Sequence, residues 1–300
     1  MKKTLIIIVT FNGGRWLPDV LDSIGSGDQH EIWIRDNGSI DETVSILQKH
    51  PSVTFFKKGD NIGFGRANNE GMSFALEHDY DSVFLLNQDC RIESSTFHKL
   101  RIFGLGNESN ISCPVQLNWN GVAANHNFQA RYAPEWASKQ DAFEVDFVNA
   151  AAWFIPINLV RQVGGFNPVF FMYGEDRDWA RRLGFIDGKF SVVPELFCYH
   201  NSSAQYKREP KIQTNKKIIF SKEVTIFFSA DNLQEWSQGF LGRAFRRSFH
   251  RKQVFNTLTL INPLAEFLIY RQIRRNASKW KGIRKQSKLP SPFLIQNPTR

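Results

Sequence analysis

Four short apolar runs, at residues 5–10, 31–35, 53–56 and 82–86, alternate with three segments of helical spacing, and this alternation leaves few folds open to the chain. The first helical segment, 16–24, puts Leu17, Val20, Leu21 and Ile24 on one face. The second follows the turn Asp36-Asn37-Gly38 and runs to Leu47. Ser39 is its expected N-cap, and Glu42 three residues later completes a capping box. The third covers 65–77. A β-α-β-α-β-α-β order predicts an α/β fold, a mostly parallel sheet with helices on both faces.

Beyond residue 106 the pattern loosens. Residues 107–145 are rich in Asn, Ala and Trp and show little periodicity. Pro156 suits the first turn of a helix over 157–163, which Gly164-Gly165 ends. A helix over 176–183 and a strand over 190–199 follow. Trp119, Trp136 and Trp153 fit either sugar-stacking platforms or packing residues. From about Tyr206 the chain becomes long basic segments interleaved with aromatic and aliphatic residues, and that shift marks the expected domain boundary.

Charge follows the same division. Of 38 Lys and Arg and 29 Asp and Glu, 20 and 5 respectively lie after Tyr206, so that part carries +15 and residues 1–206 carry −6. The three cysteines, Cys90, Cys113 and Cys198, are widely spaced and lack a C-x-x-C pattern, which argues against a disulfide framework or zinc site and suits a reducing compartment. Lys2-Lys3 before an apolar run looks like a signal peptide, but no small-residue cleavage site follows, and a first strand is the better reading. Residues 254–270, interrupted by Asn256, Asn262, Pro263 and Glu266, are too broken to span a bilayer.

The motifs sit where the strands should end. Thr10-Phe11-Asn12 closes the first and Asp36-Asn37-Gly38-Ser39 the second; together they offer amide and carboxylate groups to a pyrimidine and its ribose, although the same residues favour ordinary turns. Asn61, Gly63, Gly65, Arg66 and Ala67 open the third helix, where a diphosphate could approach the backbone, or where a plain cap could stand. The glycine spacing matches neither G-x-G-x-x-G nor a P-loop. Asn87-Gln88-Asp89 ends the fourth strand, and Asp89 is the expected ligand of Mg²⁺ or Mn²⁺, ions that need few protein oxygens when phosphates supply the rest. His200 closes the 190–199 strand, either as a second ligand or as a satisfied surface histidine. Glu175, Asp176 and Asp178 crowd three carboxylates into four residues. Crowding raises some pKa values and suits proton abstraction, while acids at a helix start are also common for the dipole alone.

Taken in order, these segments resemble family 2 glycosyltransferases, most closely their rhamnosyltransferase-like bacterial branch, over about residues 4–205. The resemblance implies a GT-A fold, a divalent ion and inversion at the anomeric carbon. It implies that Thr10, Asn12, Asp36 and Asn61 contact the donor nucleotide, beside which the residues themselves place Gly63, Arg66 and Asn87. By the same resemblance Asp89 would hold the metal with His200 assisting and Asp176 would be the base, which leaves Glu175 as the neighbouring acid to bind the acceptor. Where many members have Asp-x-Asp, this chain has Asn87-Gln88-Asp89, which favours a dTDP- or UDP-sugar donor. The expected layout is a catalytic domain over 1–206, with its nucleotide half at about 1–106 and acceptor half at about 107–206, then a basic, mainly helical extension over 207–300.

The extension reads as a basic amphipathic region that binds an anionic membrane surface on the cytoplasmic side, near a lipid-linked glycan acceptor. Arg243, Arg246, Arg247, Arg251 and Lys252 fall in one short stretch, among Phe220, Phe227, Phe228, Trp236, Phe240, Phe245, Phe249, Phe255, Phe267 and Trp280. The competing reading packs these aromatics onto the catalytic domain. No nucleic-acid partner is expected, since no RNA- or DNA-binding module is recognisable. The leading function is transfer of a sugar, rhamnose first, in bacterial surface polysaccharide (O-antigen type) synthesis. The rivals are a non-catalytic nucleotide-sugar-binding scaffold and a nucleic-acid-binding protein using the tail.

Overall fold

A computed structural model describes residues 3–126, 128–129, 133–201, 219–220, 222–228, 233–249, 263–287 and 292–294, with side chains omitted at 245–249, 263–265 and 284. The chain forms two units, one of residues 1–204 and 290–300, the other of 205–289. Residues 292–294 therefore group with the first unit, whereas composition alone places them with the basic region.

In the first unit, β1 (Thr4–Thr10), β2 (His30–Asp36), β3 (Val53–Lys58) and β4 (Ser82–Asn87) pair in parallel in the order β3-β2-β1-β4. The apolar runs are unbroken because both faces are covered. Along β1, Leu5 and Ile7 enter one core and Ile6 and Ile8 the other, and Val83/Leu85 and Phe84/Leu86 divide the same way on β4. Helices α1 (Leu17–Ile24) and α4 (Ser94–Leu105) cover one face; α3 (Phe64–Glu77), α5 (Ile157–Val163) and α6 (Glu175–Leu183) cover the other.

Five further strands extend the same sheet: β5 (Cys90–Arg91), β6 (Ile111–Asn118), β7 (Phe143–Val145), β8 (Ala152–Pro156) and β9 (Phe190–His200). Of these, sequence patterning marks β9 and misses the other four. β8 runs antiparallel to β4 and β6, and β9 runs parallel to β6 but antiparallel to β5 and β7. The second half is thus mixed, and Pro156 ends a strand before it caps α5. Trp153 is a packing residue, fully buried beside Phe166, Trp179 and Phe190.

One cap differs from expectation. Helix α2 (Thr43–Leu47) starts four residues after Ser39, and no capping box forms. The Asp36 carboxylate takes Ser39 instead, accepting bonds from its hydroxyl and, at 3.0 Å, its amide, while Asp41 accepts the Thr43 amide at 3.1 Å.

The second unit contains a helical stretch at 222–228, α7 (Leu233–Phe249) and α8 (Pro263–Gln286). Its aromatics build a core of their own. Trp236 stacks on Tyr270 at 5.6 Å, and Trp280 meets Phe227 and Phe228 at 5.9 and 6.2 Å. Ile269, Ile273 and Trp280 face inward on α8, while Phe267, Leu268, Arg271, Arg274, Arg275, Lys279, Lys281 and Lys285 stand outward. Arg243 is bound to the buried Glu223 at 2.8 Å. The side chains of Arg246, Arg247, Phe245 and Phe249, and all of Arg251, Lys252 and Phe255, lie outside the described residues. Among the described residues no helix is long and apolar enough to cross a membrane.

Candidate active site

Hydrogen bonds stitch together the carboxyl ends of β1, β2 and β4. The Asn37 amide donates to the Thr10 carbonyl at 2.8 Å; the Asn12 amide donates to Ser39 Oγ at 2.8 Å, and Asn12 Oδ1 accepts the Ile40 amide at 3.0 Å. Asn12 holds a left-handed conformation, φ 49°, which asparagine tolerates better than most residues. Asp36 is buried, with its carboxylate turned to Gly38 and Ser39, so turn chemistry accounts for its polar contacts. Gln88, between Asn87 and Asp89, is the staple: its Oε1 accepts from Thr10 Oγ1 at 2.7 Å and the Phe11 amide at 2.9 Å.

The start of α3 is pinned differently. Asn61 Oδ1 accepts the Gly63 amide at 3.0 Å, and Gly63 at φ 86° brings its α-carbon so near the Phe171 carbonyl that a Cβ would lie 2.2 Å from that oxygen. A glycine is required there by the protein's own backbone. Arg66, expected at a diphosphate, donates from Nε and Nη2 to the Pro168 carbonyl at 3.2 and 2.9 Å.

Asp89 and His200 meet because β5 pairs with β9, setting Cys90 opposite His200. Asp89 Oδ1 stands 3.6 Å from His200 Nε2, and no donor among the described residues hydrogen-bonds this buried carboxylate. His200 Nδ1 lies 3.3 Å from Gln116 Oε1, and Gln116 Nε2 donates to Asn149 Oδ1 at 2.8 Å. Among the described residues no group of three or more His, Cys, Asp or Glu is arranged to hold a metal. Two amide oxygens nearby, Asn37 Oδ1 and Asn87 Oδ1, are buried without a partner among the described residues.

Gly174, at φ 100°, turns the chain into α6. Glu175 is buried with Oε2 unpartnered among the described residues, and burial, reinforced by Asp176, pushes its carboxyl up to about 8. Asp176 is half-buried; its carboxyl is also raised by burial, opposed by backbone bonds from Arg177 and Ala150 and by the Arg177 charge. Asp178 belongs to the scaffold. Fully buried, it binds Arg181 and Arg182 at 3.0 Å each, and Arg182 also donates to the carbonyls of Val163 and Gly165. Asp178→Ala strands the buried Arg182 charge, so about 3–5 kcal/mol of stability should be lost in denaturant unfolding.

Residues 149–151 draw the two acidic groups together. Ala151 accepts the Asn87 amide at 2.9 Å, Asn149 receives Gln116 from the His200 side, and the Ala150 amide reaches Asp176. Asp89 and Asp176, 87 positions apart, therefore flank one short segment at one end of the sheet.

Residues 5–134, which include the β1, β2 and β4 ends and Asp89, match the family model for glycosyl transferase family 2. The chain contains a family 2 glycosyltransferase domain. It is 25% identical over 216 residues to the low-salt glycan biosynthesis hexosyltransferase Agl10 of Haloferax volcanii, covering 68% of each chain. It is 23% identical over 265 residues to the N-acetylglucosaminyl-diphospho-decaprenol L-rhamnosyltransferase of Mycobacterium tuberculosis, covering 77% of this chain and 85% of that one. Among solved structures it resembles S. aureus TarS 1-349 in complex with UDP, with TM-score 0.57 and 17% identity over 95% of this chain and 87% of that one. GalNAc-T7 with UDP, GalNAc and Mn²⁺ has TM-score 0.57 and 12% identity over 93% and 58%. The two structural likenesses show the fold, GT-A, whose mostly parallel sheet the first unit here has.

Sequence reasoning passed over Gln116 and Asn149, and it quoted Gln88 and Asn37 within motifs without giving either a role. All are amides that act through partners distant in the chain, so no local spacing marks them. The buried, unpaired oxygen of Asn37 becomes visible only once the sheet has formed.

Proposed function

We propose that the protein is an inverting glycosyltransferase that moves a sugar, rhamnose first, from a dTDP- or UDP-sugar to a hydroxyl of a lipid-linked glycan. The observation that carries this reading is the convergence of Asp89 and Asp176 on residues 149–151. The names of the relatives support it: one is a hexosyltransferase of glycan biosynthesis, another a rhamnosyltransferase acting on a decaprenol-linked sugar. The UDP and Mn²⁺ held by the structural neighbours support the donor and metal classes.

The residues fit a divalent ion. A buried carboxylate without donors, an imidazole facing it, and the orphaned Asn87 oxygen offer hard and borderline ligands with room for phosphate oxygens. Asp89 and His200 would hold it, with Asn87 at the side. Bound there, the ion supplies charge stabilisation to the departing diphosphate. Thr10, Asn12, Asp36 and Asn61 shape the turns against which the nucleoside would lie, and Gly63 sets the close approach of α3 to the 171 loop. Arg66 keeps that loop in place through Pro168.

Asp176 is assigned the base. The acceptor oxygen bonds to the anomeric carbon as the bond from that carbon to the donor phosphate breaks, the electron pair leaves with the phosphate, and the hydroxyl proton passes to Asp176. The two neighbouring acids are driven apart in role by their surroundings. Burial raises the Asp176 carboxyl too, but Asp176 is partly exposed and accepts the Arg177 amide at 2.8 Å, which favours its anion, while Glu175, deeper and about 8, holds its proton at neutral pH and can donate a hydrogen bond to the acceptor.

A pH test follows from Glu175. Its folded pKa lies above the ordinary carboxylate value of 4.5, so the folded chain binds the proton more tightly than the unfolded chain. The associated stability is complete below the unfolded value and is lost as pH rises through about 8. Glu175→Gln stays neutral throughout. The variant should gain on the native protein in thermal unfolding between pH 5 and pH 8; a constant gap would place an ionised Glu175 in the fold.

Peripheral attachment to the inner membrane face is assigned to the outward basic side of α8, with Phe267 and Leu268 at its head. Each Lys or Arg near an anionic surface contributes about 1 kcal/mol. The function is tested by a screen of dTDP- and UDP-sugars for thermal stabilisation and Mn²⁺-dependent hydrolysis. Stabilisation by no nucleotide sugar, with or without metal, would refute it.

A further inference from the structure

The two elements that meet at Asp176 continue past it. Residues 146–150 and α6 approach at Ala150 and Asp176, and a few residues along each they wall a cavity of about 270 Å³ lined by Asp146, Phe147, Arg177, Ala180, Arg181 and Lys189. The lining begins at Arg177, the residue next to Asp176 on α6.

Its chemistry is that of an anion site beside aromatic faces. Arg177 and Arg181 stand one helical turn apart and share a face of α6. The Arg177 guanidinium lies over the Phe147 ring, 4.2 Å from its centroid, and forms no ion pair among the described residues. Arg181 gives Asp178 one bond at 3.0 Å, leaves Nε without an acceptor among the described residues, and sits 5.0 Å over Phe185, an exposed ring. On the opposite wall Lys189 holds Asp146 at 2.9 Å, and Glu144 and Asp187 add negative charge around that lysine. Positive charge is thus left uncompensated at the arginine end. A planar guanidinium stacked on an aromatic ring is restrained for two-point contact with a carboxylate or phosphate, and the neighbouring rings offer faces to a pyranose.

We propose that this cavity is an acceptor subsite for an anionic sugar, whose carboxylate or phosphate pairs with Arg177 and Arg181 while a hydroxyl of the same or the adjoining sugar reaches Asp176. The placement of the hydroxyl rests on the reading of Asp176 as base; the anion pairing does not.

The test uses the full chain without divalent metal and with excess UDP, titrated with glucuronate, glucose 1-phosphate and glucose while ligand binding is followed by NMR. At least one of the two anions should bind, the two arms showing whether carboxylate or phosphate is preferred, and glucose should bind at least about tenfold more weakly, the scale of losing one charge-assisted hydrogen bond. Arg177→Gln with Arg181→Gln should weaken the anion by a similar factor, with thermal unfolding confirming that the variant is folded; Arg177→Lys, which keeps the charge, should restore part of it. Asp176→Asn should leave the binding in place, which separates this subsite from the assignment of the base. Equal binding of glucose and both anions, binding indifferent to the arginine changes, or no binding of either anion would overturn the proposal.

Discussion

Asp176→Asn should lower kcat for sugar transfer by about 10²–10⁴-fold, the usual contribution of a positioned general base. UDP affinity, measured by isothermal titration, should stay at the native value. The expectation follows from what asparagine keeps and what it loses. It preserves size and can still accept the amide of Arg177, which now bonds Asp176 Oδ1 at 2.8 Å, so the start of α6 should hold. It cannot take the acceptor's proton. Glu175→Gln should cost less, because a group near 8 is already protonated at neutral pH and glutamine also donates a hydrogen bond. A variant Asp176→Asn that transfers sugar at the native rate would move the base elsewhere. The reverse ranking, with Glu175→Gln the more damaging, would assign proton abstraction to Glu175.

That contrast depends on how firmly α6 is held. Its first turn carries Glu175, Asp176 and Asp178, and beyond it Trp179 and Arg182, the latter paired with Asp178, bind the loop between α5 and α6. Trp179 Nε1 donates to Gly164 at 2.8 Å and Arg182 Nη2 to Gly165 at 2.7 Å. Asn69 of α3 grips the same loop at Phe166, with Oδ1 accepting its amide at 2.6 Å and Nδ2 donating to its carbonyl at 2.8 Å. Pro292 accepts the Gly165 amide at 2.7 Å, so the chain's last segment joins the clamp. A base must stand within hydrogen-bond reach of the proton it removes, and these bonds set the position of the backbone that carries it.

The strand-end motifs were legible in sequence for a simple reason. Strands buried on both faces are continuous apolar runs, and polar groups that stop them abruptly, such as Asn12, Asp36 and Asp89, mark the sheet's carboxyl edge. In the second half of the sheet only β9, a long run from Phe190, was legible; β8 is only five residues long, β7 three and β5 two, and β6 is shifted in register against β9 between Pro114 and Val115, so none of these shows a clean period. The role of Ser39 was misjudged because a capping box and an aspartate turn compete for the same hydroxyl, and only the buried Asp36 decides between them. The acids of α6 illustrate the same limit. Three carboxylates in four residues look alike in sequence, yet one is paired with two arginines, one is buried with an orphaned oxygen and one, half-buried, accepts the Arg177 amide.

Asp89→Ala should remove the metal dependence of donor binding. With Mn²⁺ present, UDP affinity should fall by at least about tenfold, the low end of what even the outer partners of metal ligands contribute; with EDTA, native and variant should bind UDP equally. The prediction is sharp because the chain offers so few alternatives. Asn87 stands where many relatives by motif would have a first carboxylate, and an amide oxygen carries no formal charge to hold a divalent cation alone. His200 would remain, but its imidazole faces Asp89 at 3.6 Å and is steadied on the far side by Gln116, so losing the carboxylate removes the only anionic partner this pair has among the described residues. His200→Ala should then produce a smaller loss than Asp89→Ala under the same conditions. Equal UDP affinity in native protein with and without Mn²⁺ would mean that donor binding needs no metal at Asp89, and the charge on the departing diphosphate would have to be met by the protein's own donors.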